Sequence, residues 1–235
     1  MLCQGRLYSL QQGGRELAGF WEMQGGSVLA CVIHTDHTTI AWAFGLRNLQ
    51  IPGGIMGLAG MPYDHARNEA CKKVLEVGAQ WLFFLDSDVI PPADTILRLM
   101  RHNQPIISGL YFRRSPPEGV PVMMKPVGNW IVDFPENSVI EVDVVGAGCL
   151  LIHRSVLERF KQYPQRPGKT WFDWRVDMQG HLPREECLSE DFTFSMHAKR
   201  LGIPTLVDTS IQCRHVGLGE ARRNYFRPVD TTPVT

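Results

Sequence analysis

The sequence has no excess of either charge, no apolar run long enough to cross a membrane and no closely spaced pair of cysteines. Its 24 basic and 24 acidic residues balance, so no general electrostatic field favours nucleic acid or an anionic membrane as a partner. No apolar stretch approaches the roughly 18 residues of a membrane-spanning helix, and the N-terminus lacks the pattern of a signal peptide. The six cysteines form no CxxC pair and are scattered, which favours a reduced, cytoplasmic setting, compatible with a bacterial or viral source.

What the sequence does contain is enough apolar material for one large α/β domain. With 235 residues and 44% hydrophobic content, the chain can bury a full core. Residues 1–26 are rich in Gly and Gln without periodicity, so we expect an irregular N-terminal arm followed by a single domain from 27 to 235.

The first half of the chain alternates strand and helix patterns in the way that a parallel sheet requires. Continuous apolar runs predict buried strands, and apolar residues at helical spacing predict the helices between them. The predicted strands are 28–33, 81–85 and 106–110, and the predicted helices are 66–77, ended by Gly78, and 94–100. The Gly-rich stretch 52–60 is assigned no regular element.

The second half carries shorter strand-like runs than the first. These runs are 122–125, 130–134, 139–145 and 149–152, and a predicted helix follows at 155–163. Ser189 is placed to cap a helix that runs to Leu201 and is closed by Gly202. A short strand at 205–207 then precedes His215.

The strongest chemical signal is the triplet Asp86-Ser87-Asp88, which follows five apolar residues at the abrupt end of a predicted strand. Two carboxylates in such a partly buried place are costly to leave unpaired, and a divalent cation bridging a diphosphate would pair them. Hard oxygen ligands suit Mg²⁺ or Mn²⁺. The alternative is a structural Asx-turn, since Asp and Ser are common turn residues.

Four segments of the chain resemble motifs of one enzyme class. Trp-Leu-Phe-Phe-Leu-Asp-Ser-Asp at 81–88 resembles the DxD strand of GT-A glycosyltransferases, and Ala-Arg-Asn-Glu-Ala at 66–70 resembles the Arg-Asn-x-Ala helix start of family 2-like members. Val-Val-Gly-Ala-Gly-Cys-Leu-Leu-Ile at 144–152 is similar to the loop and strand before the acceptor region, and Ser-Glu-Asp-Phe-Thr-Phe at 189–194 is similar to the Glu-Asp helix start. Together the motifs cover roughly residues 27–216 in the order that the family requires.

This resemblance implies a GT-A fold, which is an α/β, Rossmann-like, mostly parallel sheet flanked by helices, with a smaller mixed sheet on the acceptor side. It implies a nucleotide-binding half at 27–115, an acceptor-binding half at 116–220 and a tail at 221–235, with a metal at the junction of the two halves. The expected cofactors are Mn²⁺ or Mg²⁺ and a sugar donor linked to UDP or GDP.

The resemblance also implies which residues hold the metal. Asp88 would coordinate the cation directly, and Asp86 would contact a metal-bound water or the donor ribose, with Ser87 beside them in the donor site. His215 would be the third protein ligand, because a neutral imidazole is a competent ligand beside two carboxylates. The alternative for His215 is a surface or core histidine in a loop.

Other residues are expected to contact the donor. The turn with Thr35 and Asp36 would hold the nucleoside base and ribose, although it departs from the family's Pro-Thr-Tyr-Asn pattern. Arg67, together with Asn68, would hold the base or the diphosphate, because a guanidinium offers planar, multi-donor recognition. A solvated helix residue is the alternative for Arg67. Gly148 would let the main chain approach the transferred sugar, or would simply serve a tight turn.

Asp191 is the candidate catalytic base. In an inverting transfer, a carboxylate removes the acceptor hydroxyl proton as that oxygen attacks the anomeric carbon. Glu190 could take the same role, or both acids could merely favour the positive N-terminus of their helix. The aromatic residues Trp171, Phe172 and Trp174 form either a platform for an acceptor or part of the core.

These features predict a metal-dependent hexosyltransferase that moves a sugar from a nucleotide donor to a hydroxyl acceptor with inversion. The acceptor would be a glycan, a lipid-linked sugar, a protein or a modified nucleobase. Three alternatives stay open: a retaining, mannosyltransferase-like enzyme, a nucleotidyltransferase, and a non-catalytic module that binds sugar nucleotides. A nucleotidyltransferase would ordinarily have a Gly-rich, basic phosphate loop after the first strand, which 34–39 does not supply.

Overall fold

The secondary structure comes from a computed structural model that describes residues 6–8, 27–34, 37–114, 119–165, 170–175 and 188–216. Within these ranges the helices are α1 Ile40–Asn48, α2 Tyr63–Val77, α3 Thr95–Arg101, α4 Arg154–Gln162 and α5 Glu190–Arg200. The strands are β1 Arg6–Tyr8, β2 Val28–His34, β3 Gly53–Ala59, β4 Trp81–Asp86, β5 Val89–Ile90, β6 Ile106–Leu110, β7 Met123–Met124, β8 Val139–Val142, β9 Val144–Val145, β10 Cys149–His153, β11 Thr205–Gln212 and β12 Arg214–His215.

One eight-stranded sheet forms the centre of the described fold, in the order β1-β3-β2-β4-β10-β6-β11-β8. Strand β2 pairs parallel with both β3 and β4, and β6 pairs parallel with β11. Strand β10 is antiparallel to its two neighbours, β4 and β6, so those two run in the same direction. The five strands β3, β2, β4, β6 and β11 therefore share one direction, which confirms the predicted mostly parallel, Rossmann-like α/β sheet.

The sheet is buried on both faces because helices cover each side. In β4, Leu82 and Phe84 belong to one apolar cluster, which contains residues of α2, α4 and α5, whereas Phe83 and Leu85 belong to the other, with residues of α1 and α3. This alternation is the two-residue period of a strand. Full burial of each such side chain stabilises the fold by about 1.5–3 kcal/mol. Two covered faces explain why β4 is an uninterrupted apolar run.

Three elements within residues 27–115 were not predicted: helix α1 and the strands β3 and β5. Strand β3 pairs with β2 from Gly53 to Ala59, although its glycines resemble loop residues, because its main chain completes the sheet and Met56 and Leu58 fill the core. Trp42 is the only buried residue of helix α1. The sequence of this helix therefore shows no strong amphipathic pattern from which it could have been predicted. The Thr39 side chain caps it by accepting a hydrogen bond from the Trp42 main-chain nitrogen at 3.1 Å.

Residues 116–220 differ from prediction in three places and also contain one short strand, β12, that was not predicted. Residues 130–134 are not a strand and keep only an isolated bridge between Met124 and Trp130. The run 139–145 is divided into β8 and β9. Strand β11 extends from Thr205 to Gln212, well beyond 207, because Asp208 inside it is buried and satisfied by hydrogen bonds, including one from the Ser210 main-chain nitrogen at 2.9 Å.

The N-terminal arm also contains regular structure, since Arg6–Tyr8 pairs antiparallel with β3 at the sheet edge. The domain boundaries at 26, 115 and 220 stay predictions. None of the helices in the described ranges combines the length and the apolar character needed to cross a bilayer.

Candidate functional site

The acidic triplet lies where the parallel strands end, as predicted from the abrupt end of the apolar run. Asp86 is the last residue of β4 and lies beside Ile33 of β2. Its main-chain nitrogen donates to the Gly148 carbonyl at 3.1 Å, and its carbonyl accepts from the Trp42 indole nitrogen at 3.0 Å. The next residue, Ser87, donates its main-chain N–H to the Ile33 carbonyl at 3.3 Å. The triplet backbone is thus held from both halves of the chain.

Behind the triplet, Arg67 joins three separate parts of the chain. It is only 2% exposed. Its Nη2 donates to Asp86 Oδ1 at 3.0 Å, its Nε donates to Glu190 Oε1 at 3.1 Å, and its Nη1 donates to the Ala147 carbonyl at 3.4 Å. The guanidinium also lies over the Phe84 ring, 4.9 Å from its centre. We call Arg67, Asp86 and Glu190 the inner cluster.

The inner cluster contains more acidic than basic groups. Burial is the main reason that the pKa of Asp86 is raised, with repulsion from Asp88 adding to it and Arg67 opposing it. Burial likewise raises the pKa of Glu190, assisted by Asp191, and Arg67 only partly offsets this. Burial acts to lower the pKa of Arg67, but the surrounding carboxylates outweigh it and the pKa is raised. One guanidinium thus serves several acids, which favours an additional cation nearby.

The second acid of the triplet, Asp88, belongs to a more exposed group that we call the outer cluster: Asp88, His215 and Arg114. The Oδ2 atom of Asp88 lies 3.4 Å from His215 Nε2 and also accepts a hydrogen bond from Arg114 Nη2. Burial acts to raise the pKa of Asp88, but hydrogen bonding and charge from His215, with the charge of Arg114, outweigh it and lower the pKa. Asp88 is therefore held as a carboxylate.

The ring of His215 is oriented in the way that a metal-binding histidine usually is. Its Nδ1 lies 2.7 Å from the Phe112 carbonyl, which can only accept, so Nδ1 carries the proton. Nε2 then faces the Asp88 carboxylate: it donates to the carboxylate when the ring is protonated and presents a lone pair to it when the ring is neutral. Two acceptors facing each other require a proton or a cation between them, and a carbonyl behind the ring is a common partner of metal-ligating histidines.

The predicted set of three metal ligands is only partly assembled. Asp88 and His215 face each other, whereas an oxygen of Asp86 is taken by Arg67. Within the described part of the chain, no group of three or more His, Cys, Asp or Glu side chains is close enough to hold a metal ion. The oxygen and imidazole donors of the outer cluster still suit Mn²⁺ or Mg²⁺, provided that a ligand supplies the remaining oxygens.

The candidate base and its neighbour are placed differently. Glu190 is 5% exposed and bound to Arg67, whereas Asp191 is only partly buried. The Oδ1 atom of Asp191 accepts hydrogen bonds from the Ser189 hydroxyl and, at 2.9 Å, from the Phe192 main-chain nitrogen. Asp191 also raises the pKa of Arg67, after Asp86 and Glu190, so its charge lies near the inner cluster. Of the two acids, Asp191 is the more accessible to solvent.

Asn68 connects helix α2 to the aromatic segment rather than pointing at the triplet. Its Oδ1 accepts from the main-chain nitrogens of Trp171 and Phe172, both at 3.2 Å, and its Nδ2 donates to the Phe172 carbonyl at 2.8 Å. Phe172 is fully buried and stacks on Phe194 with ring centres 4.5 Å apart. Trp171 and Phe172 are thus core residues, whereas Trp174 is 44% exposed. The predicted contacts Thr35 and Asp36 lie outside the described residues.

The loop before β10 has glycine at 146 and 148, where the Tyr111 side chain leaves little room for a Cβ atom. A Cβ added at Gly146 would lie 2.0 Å from the Tyr111 hydroxyl, and one at Gly148 would lie 3.0 Å from Tyr111 Cζ. The Gly148 nitrogen donates to the same hydroxyl at 3.1 Å. The edge of the Tyr111 ring meets His215, with the ring centres 5.5 Å apart. Tyr111 therefore connects the glycine loop to the outer cluster.

Sequence reasoning missed three residues of this region: Tyr63, Tyr111 and Arg114. Tyr111 directly follows β6 and Arg114 lies four residues beyond that strand, whose C-terminal end is at the same edge of the sheet as that of β4, so the strand prediction could have found them. Tyr63 begins α2, one turn before Arg67. Burial, followed by the charges of Asp86 and Asp88, raises the pKa of Tyr63, which places its phenol near the acids.

Comparison with known proteins shows a fold and no family. No protein-family profile and no curated protein matches the sequence. A similar solved structure is A197 from STIV, with a TM-score of 0.54 and 18% identity, over 81% of this chain and 86% of that chain. Another is GalNAc-T7 with UDP, GalNAc and Mn²⁺, with a TM-score of 0.51 and 10% identity, over 81% of this chain and 44% of that chain.

A third solved structure, apo UDP-glucose pyrophosphorylase, has a TM-score of 0.41 and 8% identity, over 80% of this chain and 74% of that chain, which is too low to establish a shared fold. The first two similarities establish a GT-A-like, Rossmann-like fold for this chain. This chain spans less than half of GalNAc-T7.

Proposed function

We propose that the chain is a metal-dependent glycosyltransferase that moves a hexosyl group from a UDP- or GDP-linked donor to a hydroxyl acceptor, with inversion. The observation that carries the proposal is the outer cluster. The Asp88 carboxylate and the Nε2 atom of His215 face each other at 3.4 Å just beyond the end of β4, and the Phe112 carbonyl fixes the other ring nitrogen. The GT-A-like fold supports this reading, since nucleotides bind at this edge of open α/β sheets.

Asp88 and His215 would hold Mn²⁺ or Mg²⁺ in this proposal. When bound there, the metal ion supplies positive charge to the diphosphate that departs with the nucleotide. Asp86 would contact the ribose or a metal-bound water, with Ser87 beside it. The turn with Thr35 and Asp36 would contact the base and ribose.

Arg67 and Asn68 act as positioning residues in this proposal. Arg67 fixes one oxygen of Asp86 and holds α5 in place through Glu190. Asn68 fixes α2 to the segment that contains Phe172. Gly148 places its carbonyl on the Asp86 nitrogen while leaving room for Tyr111. The contacts of Arg67 and Gly148 orient Asp86 directly, whereas those of Asn68 hold the helix that contains Arg67.

Asp191 would remove the proton from the acceptor hydroxyl as that oxygen attacks the anomeric carbon. The bond between the anomeric carbon and the diphosphate breaks in the same step, so the configuration inverts. Asp191 suits this role better than Glu190, because Glu190 is bound to Arg67 while Asp191 is the more exposed of the two. The Ser189 hydroxyl and the Phe192 nitrogen orient the Asp191 carboxylate.

The test is a thermal-shift screen of UDP- and GDP-sugars with and without Mn²⁺. A donor at about 100 times its Kd stabilises the native state by about 2.7 kcal/mol, which corresponds to a rise in Tm of about 5–10 °C for a domain of this size. We expect a shift that requires both Mn²⁺ and one nucleotide. No shift with any donor in Mn²⁺ would reject the proposal.

The sugar nucleotide that stabilises the protein in this screen is then tested for turnover with candidate hydroxyl acceptors and with water. Release of the nucleoside diphosphate in Mn²⁺ identifies a transferase, whereas tight binding without any release identifies a binding module. NMR of the product anomer separates inversion from retention.

A further inference from the structure

We infer that Arg114 is a mobile cationic residue of the donor site, which pairs with Asp88 before the metal binds and then transfers to the donor diphosphate. This inference rests on the proposed function, because it requires a metal ion and a diphosphate at the outer cluster. It assigns the phosphate-binding role, which the sequence suggested for Arg67, to a residue that carries no motif.

The starting position of Arg114 is fixed by the chain beside it. Arg114 follows two residues after Phe112, whose carbonyl holds the Nδ1 atom of His215. The residue between them, Arg113, is fixed by two main-chain hydrogen bonds, to Val120 at 2.9 Å and from Gly119 at 3.0 Å. The main chain therefore presents the Arg114 side chain to Asp88, next to His215.

Arg114 uses the same oxygen that a metal would need. Both Arg114 Nη2 and His215 Nε2 approach Asp88 Oδ2. A divalent cation between Asp88 and His215 would meet the guanidinium at that oxygen, and like charges at such a distance repel. Arg114 thus supplies the positive charge at Asp88 that the metal would later supply, and the two cations compete.

The pair between Arg114 and Asp88 is weak enough to exchange. The two side chains are 38% and 35% exposed. Partly exposed ion pairs contribute up to about 1 kcal/mol, or about fivefold in an equilibrium constant. A divalent ion on a carboxylate and an imidazole can displace such a pair, whereas it could not displace the buried contacts of Arg67.

The diphosphate is the partner that Arg114 would take next. A guanidinium binds phosphate oxygens through two parallel hydrogen bonds. Arg67 is poorly suited to this, since it is buried and binds Asp86, Glu190 and the Ala147 carbonyl. Arg114 is exposed, long and close to the acid on which the metal would lie, so it can reach the phosphates without disturbing the inner cluster.

The experiment compares Arg114→Gln with Arg113→Gln in the full chain. Arg113 is the adjacent arginine and lies over the Trp130 ring at 4.8 Å, so its substitution makes the same change in charge while the Arg114 guanidinium stays in place. Binding of Mn²⁺ alone is measured from the EPR signal of the free ion. Binding of UDP and of GDP is measured by calorimetry in saturating Mn²⁺.

We expect Arg114→Gln to bind Mn²⁺ alone about fivefold more tightly than the natural sequence, and the Mn²⁺-bound nucleotide about tenfold more weakly. Arg113→Gln should change neither by more than about twofold. Opposite effects on the two ligands are what distinguish an exchanging residue from a general electrostatic change.

Other outcomes overturn the inference. Unchanged Mn²⁺ affinity in Arg114→Gln means that the guanidinium does not compete with the metal, and unchanged nucleotide affinity means that it does not transfer to the phosphates. Equal effects of the two substitutions mean that only the net charge matters. If the natural sequence binds neither Mn²⁺ nor nucleotide, the proposed function fails first, which separates its failure from that of the role of Arg114.

Discussion

Each of the two clusters pairs an arginine with one acid of the triplet, and the two pairs differ in burial. In the inner cluster, Arg67 is 2% exposed and binds two acids and a carbonyl. In the outer cluster, Arg114 is 38% exposed and binds one acid. Removing one partner of a buried ion pair leaves an uncompensated charge. When an exposed pair separates, water solvates both groups and the cost in free energy is small. The comparison teaches that the first arginine holds the site together and the second one can leave it.

The largest effect should come from Arg67→Ala, which removes the shared partner of Asp86 and Glu190. We expect the free energy of unfolding to fall by about 3–5 kcal/mol, because buried carboxylates lose their cation. Urea unfolding measures this. Lys72→Ala, which breaks an exposed pair with Glu69, is the control and should cost less than about 0.5 kcal/mol. A comparable loss in both variants would contradict the distinction between buried and exposed pairs.

The second prediction concerns Asp191→Asn, which keeps the shape of the side chain and removes its basicity. We expect kcat to fall by about 100- to 10,000-fold, the usual contribution of general base catalysis. Donor affinity, measured by calorimetry in Mn²⁺, should stay the same. Normal turnover in this variant would disqualify Asp191 as the base, and Glu190 would then be the remaining candidate of the pair.

Asp88→Ala should weaken metal-dependent donor binding by at least about 100-fold, since loss of even a supporting contact at a metal site costs about 10–100-fold. Calorimetry with UDP and GDP in Mn²⁺ measures this effect. The fold of the variant should be unaffected, because the Asp88 side chain belongs to the partly exposed outer cluster. Circular dichroism checks this. Unchanged donor affinity would remove the triplet from the mechanism.

The smallest effect is a change in the pH dependence of stability. The pKa of Glu190 is raised in the folded state, with burial as the largest cause, so the folded protein binds more protons than the unfolded chain above the ordinary pKa of a glutamate. Stability therefore falls as pH rises through this interval. Glu190→Gln should flatten the decline between about pH 5 and about pH 8. A decline of equal slope in both proteins would assign it to another group.

The sequence predicted the parts of the site that depend on local pattern. The strand β4, its end at Asp86 and the helix α2 follow from an apolar run and from helical spacing. The role of Arg67 does not, because Glu190 lies 123 residues further along the chain and nothing local shows that the two meet. His215 was placed near the triplet only by resemblance, and its orientation depends on the pairing of β12 with β5.

Two glycine-containing segments could not be interpreted from the sequence alone, for different physical reasons. The Gly-rich stretch 52–60 indicates no regular element, but the parallel pairing of β3 with β2 uses only the main chain and tolerates its glycines. Gly148 is predicted to let the main chain approach a sugar or to serve a tight turn, and in the structure a Cβ there would lie 3.0 Å from Tyr111 Cζ, so packing against Tyr111 is itself a reason for glycine. In both cases the glycines are explained by a part of the chain that is distant in sequence: strand β2 in the first case and Tyr111 in the second.

The reversed direction of β10 has a consequence for how this protein could diversify. Because β10 pairs antiparallel with β6, Ile152 lies opposite Ile106 and Leu150 opposite Ser108, so the long segment between these strands begins and ends at one place in the sheet. A segment closed at its base can change length at little cost, since doubling a loop adds only about 0.6 kcal/mol of closure entropy. Its middle, around 126–138, is thus the natural place for insertions, while the anchored ends keep Tyr111 and Gly148 in register.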